Sequence, residues 1–231
     1  MLDTKRHQSI FNPNLFCLPV HIVGCGGMGS HLAAALVRMG VGRRHSPISL
    51  YDFDTYEPHN LTNQYITTSS VGKKKVQGLA TQLRRIEPNV QLRLHEAEVD
   101  MTDTFDGVVF LCLDTMQARR EIVDWSLENN EEVACVIETR MDAEIGISHC
   151  FDPNNAKHQD CWWLYWHGDA EAENTAGCGG PQSIISAIYG TSMLALKQFE
   201  KFARHETSLG QPNRVYQDFQ GGYVNFETWP T

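Results

Sequence analysis

Short apolar runs alternate along the chain with longer stretches in which apolar residues recur every three or four positions. Pro19 to Val23 is an apolar run ending at glycine, and Met28 to Met39 carries Leu32, Ala33, Leu36 and Val37 at helical spacing. The pattern predicts a strand, a turn and a helix. A second run, Ile48 to Phe53, ends in acidic residues, and from Lys73 the positions Val76, Leu79, Leu83 and Ile86 restore the helical period before Pro88. Gly107 to Leu113 is apolar throughout and ends at Asp114, as expected of a strand covered on both faces of a parallel sheet. A third helix is expected to follow, through Trp125. Glu132 to Ile137 and Gly146 to Phe151 predict two more strands, paired antiparallel through a turn around Asp142. Ile184 to Phe202 predicts a long amphipathic helix, and Val215 to Phe226 a late edge strand or ordered tail. The expected fold is α/β and Rossmann-like, a mostly parallel sheet flanked by helices with an antiparallel extension.

With 231 residues and 42% hydrophobic composition the chain can bury one core without disulfides, so residues 1–231 are expected to form a single domain. Within it the strand and helix units occupy about 19–140, a loop 152–182, and the last helix and tail 183–231. The segment Asp152 to Gln182 is polar and holds Trp162, Trp163, Trp166, Cys161 and Cys178, which predicts a long structureless insertion of the kind that binds something. A formal net charge of -9 repels phosphates over most of the surface, so no nucleic-acid partner is expected. Seven cysteines at irregular spacings, with no leader sequence and no long apolar run, predict reduced thiols, a cytoplasmic location and no membrane contact.

Candidate chemistry begins at GCGGMGS. Gly24, Gly26 and Gly29 form G-x-G-x-x-G between a predicted strand and helix, with Gly27 beside them, where backbone N–H groups can approach phosphates at a helix N-terminus. A tight turn without a ligand is the plainer explanation. Asp52 and Asp54 close the next strand, where a carboxylate can accept hydrogen bonds from ribose hydroxyls; a solvated strand end is the alternative. Up to this point an NAD-dependent oxidoreductase explains the motifs equally well.

The stretch ending at Lys75, YDFDTYEPHNLTNQYITTSSVGKKK, separates the two. D-x-D, then hNL-x-x-Q, then VGk-x-K before a helix, then an apolar strand ending in Asp114, resembles the ThiF, MoeB and HesA adenylyltransferases, the superfamily that includes the ubiquitin-activating enzymes. The resemblance implies an ATP-dependent adenylyltransferase that activates a carboxylate, either the C-terminus of a ubiquitin-like or sulfur-carrier protein or a small carboxylate substrate. By position, the glycine loop would hold ATP phosphates, Asp52 the ribose, Asn60 and Lys75 the phosphates, and Asp114 a magnesium ion, with Asp54, Asn63 and Gln64 also in the nucleotide site. The chemistry agrees, because a carboxylate attacking the α-phosphate needs cations aimed at the phosphates. The plainer alternatives are three adjacent lysines on a wet helix start for Lys75 and a helix cap for Asp114.

The chain departs from the family at Asn63, where relatives commonly carry a phosphate-contacting arginine. Either ATP is held more weakly or another residue replaces the charge. Arg6, in KRHQSIF, resembles an N-terminal element that in the family reaches the triphosphate, sometimes from a second subunit, and a homodimer is expected on that ground. Many relatives bind zinc through two Cys-x-x-Cys pairs, and this chain has none. His158 and Cys161 have ligand-like spacing, with His149, Cys150, His167 and Cys178 as conceivable partners, but no second pair completes a site. Zinc is therefore not expected, and Cys161 is expected as a buried thiol beside the tryptophans. Cys178, in TAGCGGPQSI before the long helix, is placed either to accept the activated acyl group or as a structural thiol. Glu138, Arg140 and Glu144 either line the same pocket or pair on the surface. A non-catalytic protein that has lost its active site is the remaining alternative.

Overall fold

Strands β1 (Val20–Val23), β2 (Ile48–Tyr51) and β4 (Gly107–Leu111) are buried at every position, which is why they read as apolar runs, interrupted only by the buried His21 and Ser49. The computed structural model describes residues 2–43, 45–128, 130–169, 184–204 and 212–231. The remaining strands are β3 (Leu92–His95), β5 (Val133–Asp142), β6 (Ile145–Phe151), β7 (Arg214–Asp218) and β8 (Tyr223–Glu227). All belong to one eight-stranded sheet in the order β3-β2-β1-β4-β5-β6-β7-β8. Pairings from β3 to β5 are parallel, and those from β5 to β8 are antiparallel.

Alternation along the strands feeds two cores. Val20, Ile22, Val108 and Phe110 point to the face covered by α1 (Gly27–Met39), α2 (Lys75–Ile86) and α5 (Ile185–Ala203). Val23, Val109 and Leu111 point to the other face, under α3 (Met116–Ile122), its π-helical continuation Val123–Leu127, and α4 (Ala156–Leu164). Full burial of one such side chain contributes about 1.5–3 kcal/mol, so these strands anchor the loops at their carboxyl ends. Among the described residues no helix is long and apolar enough to cross a membrane.

Four expectations change. β3 was not foreseen: it is a short, half-buried edge strand, too brief for its alternation to register, and it exists through parallel pairing with β2. β5 runs past Ile137 to Asp142, because its polar residues Glu138, Thr139 and Arg140 are buried and paired rather than solvated. Val215 to Phe226 is a hairpin of two strands, turning at Gly221 and Gly222, the latter at φ +69°. The insertion is not structureless: Asn155 caps α4 by accepting from the Lys157 and His158 amides, and Trp162 is fully buried against the sheet.

Candidate active site

Neighbouring strands β1 and β4 send their connections in opposite directions along the sheet, which opens a crevice at their carboxyl ends. A cavity of about 540 Å³ lies there, with Gly24, Gly26 and Gly27 on its floor, Asp52, Asp54 and Lys75 on one side, and Asp114 and Arg119 on the other. Asn63 and Gln64 also border it. Gly29, Asn60 and Arg6 do not.

The glycines divide into two jobs. Gly24 has φ +92°, and a Cβ there would lie 2.5 Å from the Cys112 carbonyl oxygen. A Cβ on Gly29 would lie 1.9 Å from the Gly24 carbonyl oxygen, so both positions let backbone pack on backbone. Gly26 has nothing within 4 Å of its virtual Cβ. It faces the cavity, at the N-terminus of α1, where among the described residues no side chain caps the first N–H groups. An uncapped helix start over an open cavity is suited to an anion.

Twenty-one residues separate Asp54 from Lys75, and backbone pairing joins them: the Lys75 amide donates to the Asp54 carbonyl at 2.9 Å, and Tyr56 to Lys73 at 2.9 Å. Lys75 Nζ then lies 2.7 Å from Asp54 Oδ2 and 3.8 Å from Asp52 Oδ2. Asp52 is fixed by accepting from the Cys25 amide at 2.8 Å and the Asp54 amide at 2.9 Å. Burial pushes the Asp52 carboxyl up, against the downward pull of Lys75 and those two amides.

The buried carboxamide of Asn60 is not directed at the cavity; its Oδ1 accepts from the Glu57 amide at 2.8 Å while the Glu57 side chain accepts from the Asn60 amide. This box starts the 3-10 turn Pro58–Thr62 that delivers Asn63 and Gln64. Asn60 therefore shapes the site from behind.

Asp114 follows β4 in an exposed turn, and among the described residues nothing donates to its carboxylate. It is not the cap of α3. That role belongs to Thr115, whose hydroxyl accepts from the Ala118 amide at 3.3 Å, aided by Asp169, which accepts from the Met116 amide at 2.5 Å and the Gln117 amide at 3.2 Å.

Glu138 and Arg140 are not surface pairs. Glu138 is fully buried and accepts from Arg119, Arg140, His149 and Trp162. Arg140 is buried beside it, and Glu144 is exposed in the β5–β6 turn, outside the cavity. Arg6 is exposed at the far end of α1, where His7 meets the Met39 carbonyl at 3.1 Å. Cys178 lies outside the described residues. Among the described residues no cluster of three or more His, Cys, Asp or Glu side chains could hold a metal ion: His149 is committed to Glu138, and His158 Nδ1 accepts from the Asp152 amide at 3.2 Å. Cys161 is half-buried against the tryptophans.

The sequence reading missed Arg119 and the apolar walls formed by Val99, Ala118, Ile122 and Ile188. Ala118 and Ile122 were visible as an i, i+4 pair just past Asp114; Val99 and Ile188 come from distant elements and carry no local signal.

Fold and crevice together define a Rossmann-like α/β protein. Residues 13–212 match the ThiF family, and the chain belongs to it. This membership, rather than the glycine loop alone, separates it from nicotinamide oxidoreductases. The chain is 31% identical over 128 residues to ubiquitin-like modifier-activating enzyme 5 of Drosophila virilis, covering 48% of this chain and 31% of that enzyme. The Caenorhabditis elegans enzyme of the same name is 27% identical over 145 residues, 56% of this chain and 32% of its own length. The chain thus spans about a third of these relatives. Among solved structures, E. coli MccB with ATP superposes with a TM-score of 0.70 at 18% identity, covering 94% of this chain and 65% of MccB. PaaA superposes with a TM-score of 0.68 at 17% identity, covering 98% of this chain and 84% of that one.

Proposed function

We propose that the chain binds ATP with magnesium in this cavity and adenylates a carboxylate. The observation that carries the reading is that one crevice gathers the uncapped start of α1, the Asp52, Asp54 and Lys75 group and the free carboxylate of Asp114. A carboxylate oxygen of the substrate forms a bond to the α-phosphorus, the bond from that phosphorus to the β-bridging oxygen breaks, and pyrophosphate leaves with the electron pair. The α1 amides and Lys75 face phosphates as this charge develops, while Asp52 is fixed in position to accept from ribose hydroxyls.

The residues present fit magnesium. A hard cation is usually held by one or two carboxylates plus phosphate oxygens, and Asp114 offers an uncommitted carboxylate at the cavity edge. The ion would supply charge that the protein leaves short, since Lys75 is paired with Asp54 and Arg119 with Glu138. Asn63 adds none, and residues 170–183 contain no lysine or arginine. Arg6 stands about 20 Å away along the thirteen residues of α1, so it can complete a phosphate site only from a second copy, and a homodimer is part of the proposal. Sedimentation showing only monomer at high concentration counts against that part.

The relatives support a substrate class: their names refer to ubiquitin-like modifiers, and MccB has been crystallised with MccA. The carboxylate proposed is the C-terminus of a ubiquitin-like protein, sulfur carrier or peptide. ATP–pyrophosphate exchange with candidate carboxylates tests the chemistry, and calorimetry with ATP and NAD tests the nucleotide. Asp114→Ala is expected to abolish exchange with the circular dichroism spectrum unchanged. NAD binding without ATP binding overturns the reading.

A further inference from the structure

Arg119 borders the cavity, yet its guanidinium is turned into the sheet. Nη1 donates to Glu138 Oε1 at 2.8 Å and to the Thr139 carbonyl at 2.7 Å, and Nη2 donates to the Leu113 carbonyl. Leu113 immediately precedes Asp114. The guanidinium therefore fastens the turn that carries Asp114 to the neighbouring strand β5. Asp169 holds the start of α3, just beyond that turn, by accepting from the Met116 and Gln117 amides.

Glu138 is built to hold Arg119 still. Its carboxylate takes Arg119 Nη1, Arg140 Nε and Nη2, His149 Nδ1 and Trp162 Nε1, all within 3.0 Å. Burial pushes this carboxyl up, but Arg140, His149 and Arg119 together hold it well below the usual carboxylate range. Buried ion networks of this kind contribute little net stability compared with apolar packing of equal volume. What this one adds is geometry: a rigid planar fork spreads its donors over two nitrogens and holds acceptors on β5 and on the Leu113 turn together, whereas a lysine offers its donors from one point on a flexible stem.

We propose that Arg119, anchored by Glu138, is a positioning residue that fixes the Leu113–Asp114 turn so that the Asp114 carboxylate meets the metal-bound phosphates of the nucleotide. The proposal rests on the adenylation reading above. Asp114 has no donor of its own among the described residues, so its direction is set by the backbone that bears it. Arg140 supplies the control. It pairs with the same Glu138, but its further hydrogen bond goes to the Tyr165 carbonyl at 2.6 Å and its guanidinium lies over the Trp162 ring, with no bond to the Leu113 carbonyl among the described residues.

Calorimetric titration of ATP into the full chain, with excess magnesium chloride and separately with EDTA, tests this together with thermal midpoints. Arg119→Lys is expected to weaken binding in magnesium by about tenfold or more, the scale on which outer partners of a metal ligand act, and to change binding in EDTA by less than about twofold. Arg140→Lys is expected to lower the thermal midpoint and to keep the wild-type ratio of the two affinities. If Arg119→Lys keeps that ratio, or both variants shift it equally, the positioning role is overturned. Should Arg119→Lys fail to fold, Glu138→Gln, measured below its own midpoint, carries the test: a reduced magnesium advantage supports the proposal and an unchanged one overturns it. A wild-type chain that binds no ATP in magnesium removes the adenylation reading and this inference together, whereas normal wild-type binding with an unshifted ratio removes the inference alone.

Discussion

Lys75 Nζ lies 2.7 Å from Asp54 Oδ2, at the mouth of the cavity. The Asp54 side chain is half-exposed, so this pair is screened and easily exchanged for a stronger anion. A triphosphate entering the crevice can draw Lys75 away at small cost. Lys75→Ala is expected to reduce pyrophosphate exchange by about 100- to 1,000-fold, the usual effect of removing one preorganised donor from a developing charge. Asp54→Asn removes the nearer of the two carboxylates on the ammonium, leaving Asp52 at 3.8 Å, and is expected to raise ATP affinity, measured by calorimetry. Wild-type exchange in Lys75→Ala would remove this residue from the chemistry.

The two kinds of glycine should respond differently to the same methyl group. Gly29→Ala drives Cβ into the Gly24 carbonyl, so a lowered melting temperature and poor folding are expected. Gly26→Ala meets nothing among the described residues and should melt close to wild type while losing nucleotide affinity, because the methyl group stands where phosphate would approach. Equal nucleotide affinity in Gly26→Ala and wild type would show that the loop is only a turn.

Acid should loosen the protein in two stages. Burial outweighs the pull of Glu138 and brings the His149 imidazole from 6.5 down to about 4. Its Nε2 is buried without a hydrogen-bond partner among the described residues, consistent with a neutral ring that donates to Glu138 through Nδ1. Between those values the unfolded chain binds a proton that the folded chain does not, so stability is full above pH 6.5 and falls toward pH 4. Glu138, depressed from 4.5, adds a second loss as pH drops through that value and below. Urea midpoints across pH 3.5–7, an interval of about that width being sufficient to span both stages, should show the decline. His149→Asn should make the first stage shallower without removing it, because burial also holds His21, His31, His95 and His158 below the ordinary histidine value, and should leave the second. An identical slope in the variant assigns the acid sensitivity elsewhere.

Cys178 distinguishes simple adenylation from acyl transfer. If its thiol accepts the activated carboxylate, Cys178→Ser should retain pyrophosphate exchange and lose a thiol-sensitive adduct seen by intact-mass spectrometry. Turnover of the true substrate without any adduct at Cys178 would show that the cysteine is structural.

The parallel half of the fold was legible because its strands are buried on both faces and its helices present one apolar stripe. β5 was cut short at Ile137 because Glu138 and Arg140 look solvated in a list of residues and are in fact each other's solvent. For the same reason Arg119 went unnoticed: its partner lies nineteen residues away on another element. Asp52, Lys75 and Asp114 were found through a motif, and the cavity gathers all three. Asn60 belonged to the same motif but serves the backbone, a distinction that spacing does not encode.

From the antiparallel half of the sheet, only Met141 on β5 reaches the cavity wall, and β6, β7 and β8 contribute no lining residue among those described. The outermost strand leaves Tyr223 and Phe226 in solvent. The outer hairpin of β7 and β8 is therefore remote from the cavity, whereas β6 still bears on it indirectly, through His149 on Glu138 and Glu138 on Arg119.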